Sequence, residues 1–216
     1  MSIRFADLMI AAISLMRRRD DVSLTAFRRH WLDVHGPLVC AFPALRRYVQ
    51  DHVIGSAAMN ERARQMRIDG FPILSFNNDQ DRLSAHHSPE MAACNVDSRE
   101  FIGAVARVIC EPRTLLPQAT DAGHVKLIAL LPGKQRDDAA LHRFADRVSR
   151  LPRLCGLMLY DVLEQGPAPN STIPHLPVTV TGLAELAFPS LVDLECVLTD
   201  LDTEAAHFVV EEHRLV

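Results

Sequence analysis

FRRHWLDVHGPLVCAFPALRRY, residues Phe27 to Tyr48, is the stretch from which the rest of the chain can be read. Its first half has the spacing of an amphipathic helix, with Phe27, Trp31, Val34 and Leu38 recurring three or four residues apart. Ser23 and Thr25 stand where such a helix is capped. It carries two histidines, His30 and His35, followed at once by Gly36-Pro37, where a helix ends or kinks because proline lacks a backbone N–H. Pro43 then pushes the preceding backbone out of the helical region and introduces a new element. From Leu45 to Ile54 the residues alternate as in a strand. Arg46, Tyr48, Gln50 and His52 share one face, and Leu45, Arg47, Val49, Asp51 and Val53 the other. A hydrogen-bonding row on a strand, beside a histidine-bearing helix, is where chemistry is expected.

On either side the chain reads as short strands and helices in alternation. Met9 to Leu15 is a buried strand ahead of the histidine helix. The arginine-rich Gly55 to Arg67 is a loop or short helix, Gly70 to Phe76 a third strand, and Asn77 to Ala93 a helix interrupted at Pro89. Phe101 to Cys110 is a fourth strand, and Glu111 to Gly123, with Pro112 and Pro117, reads as a linker. The order then repeats in degraded form. His124 to Leu131 is a strand, Asp137 to Arg150 an amphipathic helix, and Pro152-Arg153-Leu154 echoes Pro43-Ala44-Leu45 before a strand that reaches Leu163. After a proline-rich loop, Gly166 to Pro177, TGLAELAF (Thr181 to Phe188) aligns with DGFPILSF (Asp69 to Phe76), each followed by a helix candidate; Phe208 to Leu215 is the last strand. The chain is therefore α+β, with one βαββαβ unit at residues 1–112 and a second at 124–216.

The copies differ in an informative way. The segment from Phe27 to Pro43 is twice as long as that from Phe144 to Pro152, so WLDVHGPL has no counterpart. Arg46, Tyr48 and Gln50 are matched by Cys155, Leu157 and Leu159. The second copy keeps the fold and drops the polar row, which places one functional site per chain, in the first copy.

Composition narrows the function classes. A net charge of -4 supplies no basic field for nucleic acid, and no basic stripe with interleaved aromatics occurs. Arg17-Arg18-Arg19 reads as a solvated strand end. Five scattered cysteines show no ligand spacing, so no metal is expected, and reduced, mostly buried thiols are. The apolar run Leu8 to Met16 is too short to span a bilayer and lacks the flanks of a signal peptide, so a cytoplasmic protein without membrane association is expected. Nucleotide, serine-hydrolase and zinc-protease motifs are absent. The adjacent His86-His87 diverge around a helix and read as surface residues.

The chemistry open to the first copy follows from its side chains. His35 or His52 has the pKa to move a proton near neutral pH, although His35 also suits a packed helix end. Tyr48 offers a hydrogen bond to a carbonyl or oxyanion, and Arg46 a bidentate grip on a carboxylate. Gln50, His30 and Trp31 are the neighbouring candidates for substrate contact. Asp69, just before Gly70, suits a turn cap.

The pattern F-x-x-H-W-x-x-x-H-G-P, then P-x-L-R-R-Y, then D-G-F-x-x-x-x-F at Asp69, Gly70, Phe71 and Phe76 resembles the EthD-like family of dimeric α/β barrel proteins, over about residues 9 to 112. That resemblance implies ferredoxin-like units whose sheets close into one barrel, here within a single chain. It is similar also to the methylmuconolactone isomerase branch. That likeness implies a cofactor-independent isomerase or lyase acting on a small unsaturated carboxylate or lactone from aromatic breakdown. In this expectation Arg46 holds the carboxylate, His35 or His52 shuttles the proton and Tyr48 steadies the enolate. The alternatives are a non-catalytic accessory protein for an oxygenase and a cofactor-free monooxygenase. Pairing of two chains as a homodimer is left open.

Overall fold

Side-chain caps start most of the helices, and the one expected from the sequence, Ser23, is among them. In the computed structural model, which describes residues 9–55, 58–118, 124–134, 137–167, 171–201 and 204–216, β1 (Ile10–Arg18) leads to α1 (Leu24–His30). The Ser23 side chain accepts from the Ala26 N–H. Asn60, Asn78, Ser88, Asp137 and Ser190 do the same for α3 (Glu61–Met66), α4 (Asp79–His86), α5 (Pro89–Phe101), α6 (Asp138–Val148) and α7 (Leu191–Glu195). Each such cap stabilises its helix by about 1 kcal/mol. The expected interrupted helix is thus two helices: Ser88 caps the second, and Pro89 occupies its first turn, where a missing N–H costs nothing. No described helix is long and apolar enough to cross a membrane.

The strands are β2 (Arg47–Val53), β3 (Gly70–Phe76), β4 (Ile102–Leu116), β5 (Val125–Pro132), β6 (Gly156–Gly166), β7 (Val180–Phe188) and β8 (Ala206–Arg214). They form one closed antiparallel barrel in the order β1-β3-β2-β8-β5-β7-β6-β4. Split at the β2–β8 and β4–β6 seams, this is β4-β1-β3-β2 joined to β8-β5-β7-β6. Each half has the ferredoxin-like order, so the chain is a tandem pair closing its own barrel.

The repeat shows in backbone detail. Ala44 and Arg153, equivalent in the two Pro-x-Leu echoes, both adopt left-handed backbone, with φ of 59° and 65°. Gly70 and Gly182, equivalent in DGFPILSF and TGLAELAF, both lie beneath a helix side chain. A Cβ on Gly70 would come within 2.3 Å of the Trp31 ring, and one on Gly182 within 3.0 Å of Leu141. The glycine of each third strand therefore makes room for the helix of its own unit.

One expectation is corrected. The segment read as a linker from Glu111 continues β4 to Leu116, with Pro112 opposite Tyr160 on β6. Pairing with β1 stops at Cys110, so Pro112 has a neighbour on one side only and its missing N–H is tolerated as on an edge strand. Residues 119–123 of that expected linker, and 168–170 of the proline-rich loop, lie outside the described residues.

Val49 and Val53 face the barrel interior with Ile13, Ile73, Val108, Ile128 and Phe208. This interior is a packed core, and it contains a buried ionic cluster. The Lys126 ammonium donates to Asp51 (2.9 and 3.0 Å) and pairs with Glu185 (3.0 Å) and Glu212 (2.6 Å), while the Tyr160 hydroxyl donates to Glu185 (2.6 Å). Burial pushes Asp51 up to about 7 against the pull of Lys126. Burial also opposes ionisation of Glu212, but Lys126 and Arg214 carry it down to about 2.

Candidate functional site

The opposite face of the first sheet half, under α1, α2 (Gly36–Cys40), α4 and α5, holds the residues that the sequence singled out. Helix α1 does not end at His35-Gly36-Pro37. It widens into a π-helical turn, Trp31–His35, and continues as α2. Pro37 has no N–H for the Asp33 carbonyl, and its ring would crowd that carbonyl in a regular helix; the wider turn removes the conflict. Gly36 N–H bonds back to the Trp31 carbonyl, which also accepts from Gln50 Nε2 at 2.8 Å. Trp31 and His35 both point inward and are buried.

Asp97 on α5 joins the two histidines. His35 Nδ1 bonds Asp97 Oδ2 at 2.8 Å and His30 Nε2 bonds Asp97 Oδ1 at 2.9 Å. A carboxylate only accepts, so both ring nitrogens carry their protons here, and His35 Nε2 is left as the basic atom. Cys94, one helical turn before Asp97, places Sγ 3.4 Å from that Nε2. Burial holds His35 below its usual pKa, with Asp97 opposing, and pushes the Cys94 thiol up to about 12. Neutral imidazole and neutral thiol are therefore the resting forms, with the thiol donating a weak hydrogen bond.

Tyr48 is held from the other side. Its hydroxyl oxygen accepts from Gln50 Nε2 (2.9 Å) and from the Trp31 indole N–H (3.2 Å). Both lone pairs are thus engaged, and among the described residues no acceptor meets its own proton. Burial raises its pKa above the usual phenol value, so the group stays a donor. His52 donates through Nε2 to Gln50 Oε1 at 2.9 Å and stacks on Trp31 with ring centroids 4.3 Å apart. Burial, with the charges of His213 and Arg28 adding to it, takes His52 down to about 3.

His35 and Tyr48 line one cavity of about 160 Å³ between the sheet and the helices. Its walls are mainly apolar, from Ala12, Met16, Val39, Phe42, Leu74, Phe76, Met91, Ile102 and Ile109. A dry cavity of about 150 Å³ accepts benzene, so this one takes a single ring or a short unsaturated chain. The other candidates fall outside it. Gln50 and Trp31 form the layer behind Tyr48, His30 lies beyond Asp97, and His52 sits behind Trp31 without reaching the cavity. Arg46 is exposed beside Asn77, whose amide oxygen, correctly oriented, accepts from its guanidinium at 2.9 Å. Asp69 accepts from Arg18 N–H (2.9 Å) and guanidinium (2.5 Å), which ties β1 to the start of β3.

Sequence reasoning missed Asp97 and Cys94 because the second helix was ended at Ala93; run through Phe101, it would have shown the two on one face three residues apart. It also missed Arg82, Arg107 and the second unit's loop, from which Ser171 and Ile173 complete the wall; and His86, read as a surface residue, is half-buried and lines the cavity, because its face of the helix packs toward the sheet. That loop is anchored to β4 by Val105 N–H to Pro174 O (3.0 Å) and Leu176 N–H to Val105 O (3.0 Å). The second unit therefore contributes to the first unit's cavity.

Fold and cavity define an α/β barrel of the dimeric type, built by one chain. Residues 19–104, within its first unit, match the model of the EthD domain family. No curated protein matches. Among solved structures, an anthrone oxidase-like protein superposes over 96% of this chain and 93% of its own, with TM-score 0.63 at 9% identity. A "putative monooxygenase" from Lactobacillus acidophilus NCFM does so over 97% and 96%, with TM-score 0.56 at 10% identity. An EthD family protein from Bacillus halodurans is 21% identical over 47% of this chain and 96% of its own, with TM-score 0.40. At these identities the likeness is one of fold.

Proposed function

We propose that the protein is a cofactor-independent enzyme that moves a proton within a small, largely apolar carbonyl compound, an isomerase-type reaction. The observation that carries this reading is a pair of groups facing one largely apolar cavity: an Asp97-oriented His35 and a Tyr48 hydroxyl free to donate. His35 Nε2 displaces the weak Cys94 contact and takes a proton from a carbon next to the carbonyl or conjugated with it. The electron pair moves to the carbonyl oxygen, which receives the Tyr48 hydrogen bond. Return of the same proton at another carbon completes the isomerisation, and no electron acceptor is consumed. The Asp97 carboxylate steadies the imidazolium formed in between. His52 takes no part, since it is walled off by Trp31. Arg46 does not hold the substrate, since it lies outside the cavity.

The test is an ultraviolet screen of the purified protein against ring-cleavage dienoates and muconolactones, under nitrogen and in air. A spectral change under nitrogen that disappears in His35→Gln and persists in His52→Gln is expected. A change seen only in air would replace this reading with oxygenation. Silence under both atmospheres would leave the chain a binding or accessory protein.

A further inference from the structure

The cavity's charged wall is unlike the rest of its surface. Among the described residues that line it there are two guanidinium groups, Arg82 on α4 and Arg107 on β4, and no carboxylate. Each arginine has one acidic hydrogen-bond partner, and the charge of Asp79 also acts on Arg107. Arg82 Nε donates to Asp79 Oδ1 at 2.6 Å, and Arg107 Nη2 donates to Glu164 on β6. These account for few of the N–H donors that two guanidiniums carry. Arg107 Nε is buried with no hydrogen-bond partner, and Arg82 is itself 7% exposed. Burial holds Arg107 below its usual pKa; Glu164 opposes this and the charge of Arg82 adds to it, so the two cations sense each other.

A buried donor that lacks an acceptor, Arg107 Nε, next to a second cation leaves a position that an anion would fill. We propose that Arg82 and Arg107 form a carboxylate subsite, so that the ligand is a monocarboxylate with a one-ring or short unsaturated body. This rests on the proton-transfer reading for the role of the ligand's other end. Arg107 stands on β4 and Tyr48 on β2, three strand spacings or about 14 Å of backbone apart. Both side chains project over the same face, so a carboxylate on the guanidiniums directs the body of the ligand along the apolar wall toward Tyr48 and His35. The subsite also gives the second unit a role, because Glu164 and the 171–173 loop position Arg107 and close the wall beside it.

The test is calorimetric titration of the intact protein with sorbate and benzoate, and with their neutral counterparts sorbyl alcohol and benzamide. The carboxylates should bind at least about tenfold more tightly, as expected for a charge-assisted pair in an enclosed site. Arg107→Gln should remove that preference and leave binding of the neutral compounds unchanged. Arg107→Lys, which keeps the charge and loses the fork, should retain part of it, and serves if Arg107→Gln fails to fold. Equal affinity for anion and neutral counterpart in the wild type would overturn the subsite, as would an undiminished preference in Arg107→Gln or no binding of either class. Inorganic phosphate competing as well as sorbate would reassign the pair to free anions and overturn the carboxylate class. Carboxylate-selective binding of sorbate by the wild type alongside a failed turnover screen refutes the reaction and not the subsite.

Discussion

Replacing Lys126 by methionine, which has nearly its length without its charge, should convert the barrel interior into an acid-requiring core. In the native protein this ammonium contacts Asp51, Glu185 and Glu212 at 2.6–3.0 Å, and Lys126 and Asp51 are almost fully buried. Without it, Asp51, Glu185 and Glu212 lose their common cation, with Arg214 still on Glu212 and Arg47 near Glu185, and the fold is retained only if one or two of the carboxylates take up protons. An acid whose folded pKa lies above its unfolded value binds more protons folded than unfolded, so its stabilising share is complete below the unfolded pKa and is lost as pH rises. Protonating a carboxyl of ordinary pKa near 4 at pH 7 costs about 4 kcal/mol, so one or two give a loss of about 4–8 kcal/mol, comparable to the whole stability of a domain. At pH 4.5 the same uptake costs less than about 1 kcal/mol per group. Urea unfolding followed by circular dichroism at pH 4.5, 6.0 and 7.5 measures this. A Lys126→Met protein that loses less than about 2 kcal/mol at pH 7.5, or loses the same at every pH, would refute the account of a structural ion cluster.

Asp51→Asn keeps an acceptor for Lys126 and removes a carboxyl whose pKa is raised to about 7. The wild type should lose stability relative to this variant as pH rises from about 4 to 7, read by the same denaturation series. Gly70→Ala sets a methyl 2.3 Å from the Trp31 ring, so it should cost about 1–3 kcal/mol and shift the emission of the chain's one tryptophan. An unchanged spectrum would mean that Trp31 does not rest on that glycine. Nitrogen-proton NMR of the imidazoles should show His35 protonated at Nδ1 and titrating below its usual value. Asp97→Asn should lower that midpoint further, because the carboxylate is what supports the imidazolium; a rise would contradict the bridge.

The start of the first helix was legible because it depends on neighbours in the chain: Ser23 caps within its own first turn, and the unread caps at Asn78 and Ser88 follow the same local rule. Strand faces were legible for the same reason, since alternation at Tyr48, Gln50 and His52 is a property of local geometry. The row they form was read as one site, yet only Tyr48 reaches the cavity. Trp31 stands over His52, a separation that depends on how closely the helix approaches Gly70. Arg46 shares the face but lies beyond the helices' cover. Asp97 and Arg107 escaped notice because their partners are distant in sequence, and nothing near Asp97 announces that His30 and His35 converge on it; Arg82 pairs locally with Asp79, and only the packing of its helix shows that it lines the cavity.

By itself the sequence determined the tandem βαββαβ plan, the Ser23 cap, the equivalent Pro-x-Leu and glycine positions, and the concentration of polar side chains in the first copy. All of these follow from periodicity and backbone preference, which act over a few residues. Tertiary structure alone decided that Lys126 meets Asp51 across the β2–β8–β5 part of the barrel, that the second unit's loop walls the first unit's cavity, and which polar residues face it. Those outcomes depend on strand order, register and closure of the sheet, and so on packing between segments far apart along the chain.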